Sequence, residues 1–169
     1  LSLCIERDKK RENPVGERVI RQTYNKFILK EPPVIPYDHD LPDAVICDLD
    51  GTLALMCDRS PYDEAKSDGD FLNEHVYNAL KGVTNLWHPR EPATVILMSG
   101  RDEGRGRAAT EKWLLMNNVP YEYLHMRKAG DTRSDAIVKE ELYNEHVKGQ
   151  YNVRAVFDDL CEYTRLRDG

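Results

Sequence analysis

Two aspartates one residue apart, Asp48 and Asp50, stand directly after the apolar run Ala44-Val45-Ile46-Cys47 and are followed by Gly51-Thr52. A short, continuously apolar run of this kind reads as a strand buried on both faces, and ligands of open α/β sheets bind beyond the carboxyl ends of such strands. A carboxylate placed there can attack phosphorus or hold a metal ion. A second strand-like run, Val153-Arg154-Ala155-Val156-Phe157, ends in Asp158-Asp159. Four acids on one rim raise one another's pKa unless a cation joins them. Oxygen-only ligands favour Mg²⁺ over Zn²⁺, and Mg²⁺ completes its shell with water and substrate phosphate.

Further residues fit phosphate chemistry. The β-branched run Thr94-Val95-Ile96-Leu97-Met98 leads into Ser99-Gly100-Arg101, where a hydroxyl, neighbouring N–H groups and a guanidinium fork could receive phosphoryl oxygens. Arg59 lies between the first two motifs and could reach back over the rim. Arg127 and Lys128 follow another candidate strand, Tyr121 to Met126, and so stand on the crevice side. Asp135 and Lys139 are four apart in Ser134-Asp-Ala-Ile-Val-Lys-Glu-Glu-Leu-Tyr, which reads as a helix with Ile137, Val138 and Leu142 turned inward. Such a pair is ordinarily a solvated salt bridge, whereas an acyl-phosphate site needs a cation beside its nucleophile. Arg133, next to Asp131, reads as a turn salt bridge and is left outside the site.

The order Asp-x-Asp-Gly-Thr, Ser-Gly-Arg, Lys, Asp-Asp resembles the haloacid dehalogenase superfamily of phosphatases. The stretches Ala44 to Ala54, Arg59-Ser-Pro-Tyr-Asp63, Met98 to Arg101 and Gly130 to Glu141 are more specific. They resemble the bacteriophage polynucleotide 5′-kinase/3′-phosphatase family, over nearly the whole chain. The resemblance implies Asp48 as the nucleophile that becomes an aspartyl-phosphate, and Asp50 as general acid and then general base. It implies Mg²⁺ held by Asp48, Asp158 and the backbone carbonyl of Asp50, with Asp159 supporting the outer shell. Ser99, Arg101 and Lys139 would handle the phosphate, Arg59 and Arg127 would serve the working site, and Asp135 would orient Lys139. The substrate implied is the 3′-phosphate end of DNA or RNA, in nucleic-acid repair.

The elements that must position these residues follow from the spacing. Between Gly51 and Ser99 there is room for a loop, one helix near Phe71 to Val83 and a connection; between Ser99 and Lys139, for one helix and one strand. The architecture expected is a doubly wound parallel sheet with flanking helices and no large cap domain. An uncapped crevice admits the end of a polymer. The chain carries −6, yet residues 1–30 hold eight Lys/Arg against four Asp/Glu and residues 99–133 hold seven against five. These excesses could guide a phosphate backbone, although they fall short of a dedicated basic stripe.

The leader reads separately. Glu6 to Pro14 is a charged loop or helix end, and Gly16 to Ile28 a helix with Val19, Ile20, Tyr24, Phe27 and Ile28 on one apolar side. Residues 31–43 form a Pro-rich linker, with the catalytic domain expected over 44–169. The resemblance makes residues 1–30 the tail of a kinase domain, with Arg7 and Arg11 matching lid arginines that contact ATP phosphates. No Gly-x-x-x-x-Gly-Lys-Ser/Thr occurs, so kinase activity is not expected of this chain, and ATP is a partner only alongside a complete kinase domain. Leu160 to Gly169 reads as a short helix with Tyr163 and Leu166 inward, where the family continues through a final strand.

With 40% apolar and 32% charged residues the composition is that of a soluble globular chain. No run approaches a membrane span and Leu1 to Ile5 is too short for a signal sequence, so a cytoplasmic location is expected. Cys4, Cys47, Cys57 and Cys161 lack metal or disulfide spacing. The apolar helix near Ile20 is compatible with a homo-oligomer. Two rivals remain: a phosphatase of the same superfamily acting on a small metabolite, and a phosphorelay receiver, whose acid pair comes first and lysine last, the reverse of the order here.

Overall fold

A computed structural model describes residues 1–27, 37–86 and 92–159. The chain divides into two units, Leu1–Ile35 and Pro36–Gly169. In the first, α1 (Ser2–Asp8) is followed by α2 (Glu17–Phe27). The Asp8 carboxylate joins them by accepting from Val15 N at 3.1 Å and Gly16 N at 2.8 Å, where Gly16 takes φ +90°. Arg7 is exposed on α1, and Arg11 lies 3.9 Å from Asp8. On the apolar side expected of α2, Val19 is exposed while Ile20 and Tyr24 are half-buried. Ile28 and the Phe27 side chain lie outside the described residues.

The second unit runs β1 (Asp43–Cys47), β2 (Ala54–Leu55), a 3₁₀ turn (Glu64–Gly69), β3 (Phe71–Leu72), α3 (Glu74–Leu86), β4 (Thr94–Asp102), α4 (Glu103–Met116), β5 (Tyr123–Arg127), α5 (Asp135–His146) and β6 (Asn152–Phe157). Four strands form a sheet of order β5-β4-β1-β6 in which every pair is parallel. The chain winds outward from β1 through β4 to β5, then returns to β1's other flank with β6. The reversal opens a crevice between β1 and β6, where α/β sheets hold their ligands.

Alternation along β1 and β4 supplies two cores. Val45, Cys47, Val95 and Leu97 pack with Leu80 of α3 and with Trp113 and Leu114 of α4. Ala44, Ile46, Ile96 and Met98 turn the other way, against Val138 and Leu142 of α5 and against Val147. Burial on both faces explains why these strands read as continuous apolar runs. At the start of β6, Asn152 donates from Nδ2 to the carbonyls of Asp38 and Leu41 at 2.7 and 2.8 Å, which fixes the segment leading into β1.

The helix expected near Phe71 starts later, at Glu74, because Phe71-Leu72 pairs antiparallel with Ala54-Leu55 to form a small hairpin. Asn73 ends that hairpin and opens α3, its Oδ1 accepting from Val76 N and its carbonyl from Tyr77 N. Of the residues expected inward on α5, Val138 and Leu142 are buried, but Ile137 is 45% exposed and Lys139, at 3%, takes its place. Between β1 and β4 the described residues hold only this hairpin, its 3₁₀ turn and α3, and no large cap domain. Leu160 to Gly169, with Cys161, Tyr163 and Leu166, lie outside the described residues. No described helix is long and apolar enough to cross a membrane.

Candidate active site

Asp48 leaves β1 with its N–H donating to Phe157 O at 2.9 Å, so the ends of β1 and β6 are locked side by side. The loop then turns tightly: Thr52 N and Ala54 N both donate to Leu49 O, and Gly51 adopts φ +81°. A Cβ at Gly51 would lie 2.4 Å from Asp159 Oδ2. Glycine therefore serves both the left-handed turn and the close approach of the β6 acids. Carboxylate oxygens of Asp48, Asp158 and Asp159 all lie within 4.8 Å of one another.

Lys139 anchors this cluster. Its Nζ is 3.1 Å from Asp48 Oδ1, 3.0 Å from Asp158 Oδ2 and 3.2 Å from Asp135 Oδ2. Burial pushes the Asp48 carboxyl up to about 7, against the opposing pull of the Lys139 charge and hydrogen bond. A single ammonium thus leaves three gathered carboxylates short of neutral. An all-oxygen donor set with residual negative charge suits a hard divalent ion such as Mg²⁺.

Asp135 is held from two sides. Its Oδ1 accepts from Arg127 at 3.1 Å, and a Cβ at Gly100 would come within 1.8 Å of that oxygen. Arg127 also donates from Nε to Gly100 O at 2.6 Å. It therefore ties the end of β4 to the start of α5, and the Asp135–Lys139 pair expected to be either a solvated bridge or a working pair is an inward-facing contact. Ser99 is fully buried, its Oγ accepting from Arg101 N at 3.2 Å.

The apolar run ends at Met98, whereas β4 continues to Asp102 with a bulge that shifts the β5 register between Ser99 and Asp102. Extra residues in a bulge re-aim their side chains. Arg101 turns inward, and its fork lands on a neighbouring acid: Nε and Nη2 donate to the two Asp50 oxygens at 2.7 Å each, Nη1 to Thr110 Oγ1 at 2.9 Å and Nη2 to Asp70 Oδ2 at 3.0 Å. Arg59 reaches the same place, with Nη2 2.9 Å from Asp50 Oδ1 and 2.7 Å from Asp70 Oδ2. Burial works to raise the Asp50 pKa, but the hydrogen bonds and charge of Arg101, with those of Arg59, outweigh it and hold the carboxyl below its ordinary value. The Asp50 side chain thus faces the arginines while the Asp48, Asp158 and Asp159 carboxylates face one another.

Asp70 joins the candidate site without belonging to any motif. Fully buried at its side chain, it balances two guanidinium groups, and its carbonyl accepts from Trp113 Nε1 at 2.7 Å. Nothing local in Gly69-Asp70-Phe71 marks it. The available signal is charge balance, because two buried arginines need more than one carboxylate. Asp102 is a second buried acid outside the motifs. It caps α4 by accepting from Arg105 N at 3.1 Å and receives Gly130 N at 2.7 Å, bonds that hold its carboxyl below the ordinary range. Arg7 and Arg11 belong to the first unit, and the site residues described above to the second.

Acids delivered by the first and last strands of a parallel sheet, at the point where its winding reverses and beside a lysine from α5, define a haloacid dehalogenase-like phosphatase. The family described as "Polynucleotide kinase PNKP phosphatase domain" matches residues 42–165, and the chain belongs to it. The "Putative bifunctional polynucleotide kinase/RNA ligase" of Autographa californica nuclear polyhedrosis virus is 34% identical over 94% of this chain. The solved "Structure of Pnkp1/Rnl/Hen1 complex" matches 79% of this chain with TM-score 0.70 and 38% identity. The "Structure of the Pnkp1/Rnl/Hen1 RNA repair complex" matches 96% with TM-score 0.71 and 34% identity. This chain spans 23% of the viral protein and 44% and 57% of the two structural relatives.

Proposed function

We propose that the chain is a Mg²⁺-dependent polynucleotide 3′-phosphatase that works through an aspartyl-phosphate on Asp48. The observation that carries this reading is the gathering of Asp48, Asp158 and Asp159 carboxylates within 4.8 Å beside the Lys139 ammonium. Asp48, Asp158 and the carbonyl of Asp50 would hold Mg²⁺, with Asp159 supporting its outer shell; the ion, when bound, screens the repulsion between an anionic nucleophile and a dianionic phosphate.

An Asp48 oxygen bonds to phosphorus as the bond to the 3′-oxygen breaks, and Asp50 gives that oxygen a proton. Asp50 then takes a proton from water, whose oxygen attacks phosphorus, releasing inorganic phosphate and restoring Asp48. Before substrate enters, Arg59 and Arg101 hold Asp50 ionised. The dianionic phosphate entering beside Asp50 raises its proton affinity against the pull of both arginines, so that the carboxyl takes up the proton it must donate. Ser99 and Lys139 receive phosphoryl oxygens, while Arg101, Arg127 and Asp135 maintain the geometry around them.

One solved relative is an RNA repair complex, which supports an end-healing role within an assembly of repair proteins, and the location is read as cytoplasmic. Residues 1–30 are read as the end of a kinase domain carrying Arg7 and Arg11, joined to the phosphatase through residues 31–43. Release of phosphate from 3′-phosphorylated DNA and RNA oligonucleotides, compared with a set of sugar phosphates, tests the reading. Asp48→Asn is expected to abolish release with the fold intact, and chelation to stop the wild type. Turnover by Asp48→Asn, or preference for sugar phosphates, overturns it.

A further inference from the structure

The substrate is an anionic strand, yet the cations around the nucleophile are already matched. Arg59 and Arg101 share Asp50 and Asp70, Arg127 meets Asp135, and Lys139 meets three acids. These groups suit the terminal phosphate and the acids that process it, so the phosphodiesters 5′ to it must find cations farther along the rim. Arg105, in the first turn of α4, is placed for that. Its side chain is 63% exposed, and its ion pairs with Glu64 at 3.8 Å and Asp102 at 3.7 Å are both longer than a hydrogen bond.

Glu64 links Arg105 to the loop that carries Arg59. Its Oε2 accepts from Asp102 N at 2.9 Å, so the 3₁₀ turn is fastened to the end of β4. Just before it, Asp63 N donates to Ser60 O at 3.0 Å, closing a turn with Pro61 and Tyr62 at its centre. Proline fixes the first of these two positions. Tyr62 is thereby mounted on a stiff turn between Arg59 and Glu64 with 85% of its surface exposed. The fold uses this ring nowhere in either core. An exposed aromatic ring carried on a fixed turn in the loop that holds Arg59 has a ready partner in a nucleobase, because every base offers a π-face.

From this arrangement we infer that Tyr62 and Arg105 form a strand-binding strip along the rim, Tyr62 stacking on a base of the substrate and Arg105 pairing with a phosphodiester 5′ of the terminal phosphate. The inference rests on the 3′-phosphatase reading and names the part of the strand that reading leaves without contacts. Base stacking tolerates any sequence, and the single phosphodiester contact adds salt dependence.

The test uses the 169-residue chain with Tyr62→Ala, Tyr62→Phe and Arg105→Ala, a 3′-phosphorylated oligonucleotide, and p-nitrophenyl phosphate, which has neither base nor phosphodiester. Tyr62→Ala raises KM for the oligonucleotide about tenfold, and Tyr62→Phe keeps it near wild type. Arg105→Ala raises KM several-fold and reduces the slope of log affinity against log salt by about one. All three leave kcat, and turnover of the small ester, unchanged. Unaltered oligonucleotide KM in both alanine variants overturns the strip, as does an equal loss on the small ester. Fluorescence anisotropy with a labelled oligonucleotide separates the two readings without turnover. Weakened binding in both alanine variants of a protein that releases no phosphate would keep the strip and remove the phosphatase reading.

Discussion

Burial lifts the Asp48 carboxyl from 3.8 to about 7, and Lys139 only partly offsets the effect. The folded state therefore holds this proton more tightly than the unfolded chain, so the metal-free fold loses stability as pH rises from about 4 to about 7. Asp48→Asn removes the charge. At pH 8 without metal it should be more stable than wild type by on the order of 2–4 kcal/mol, with the gap closing near pH 4. Urea unfolding at the two pH values checks this, and equal stabilities at pH 8 would contradict it. Added Mg²⁺ should narrow the gap by stabilising the wild type alone. Gly100 sets a second test at the same scale, since a Cβ there would stand 1.8 Å from Asp135 Oδ1. Gly100→Ala should displace Asp135 from Lys139 and lower kcat by about a hundredfold while changing the melting temperature little. Wild-type kcat in that variant would show that Asp135 does not position the lysine.

Among the elements, α5 carries both packing and chemistry on one face. Leu142→Ala should cost about 2–4 kcal/mol, whereas Ile137→Ala should stay within about 0.5 kcal/mol; chemical denaturation of the pair measures the contrast, and comparable losses would mean that α5 is rotated from the position described. The helix is legible from Val138 and Leu142, and the place of Lys139 from the motif order, but the outward turn of Ile137 is not. Lys139 is drawn inward by acids from β1 and β6, and a window on one helix cannot see them. The same limit applies to β4 and to Phe71-Leu72. The β4 bulge depends on pairing with β5, and Phe71-Leu72 is a strand because Ala54-Leu55 lies beside it. By contrast, the strand ends bearing Asp48, Ser99 and Asp158 were readable because each follows an unbroken apolar run. Asp70 escaped notice because what marks it, two guanidinium groups from elsewhere in the chain, exists only after folding.

At the scale of the whole molecule, each residue placed at the active site lies between Pro36 and Gly169, and the two cores close within that unit. A chain starting at Pro36 should hydrolyse a small phosphate ester at the wild-type rate and melt in one transition; lost turnover would show that the first unit supports the site. The order β5-β4-β1-β6 carries a temporal consequence. On the ribosome, Asp48 emerges before α3, α4 and α5, whereas its neighbours Asp158 and Asp159 follow β4 and β5, the other described strands of the sheet. A nascent domain thus gathers the Asp48, Asp158 and Asp159 carboxylates only once β6 docks beside β1.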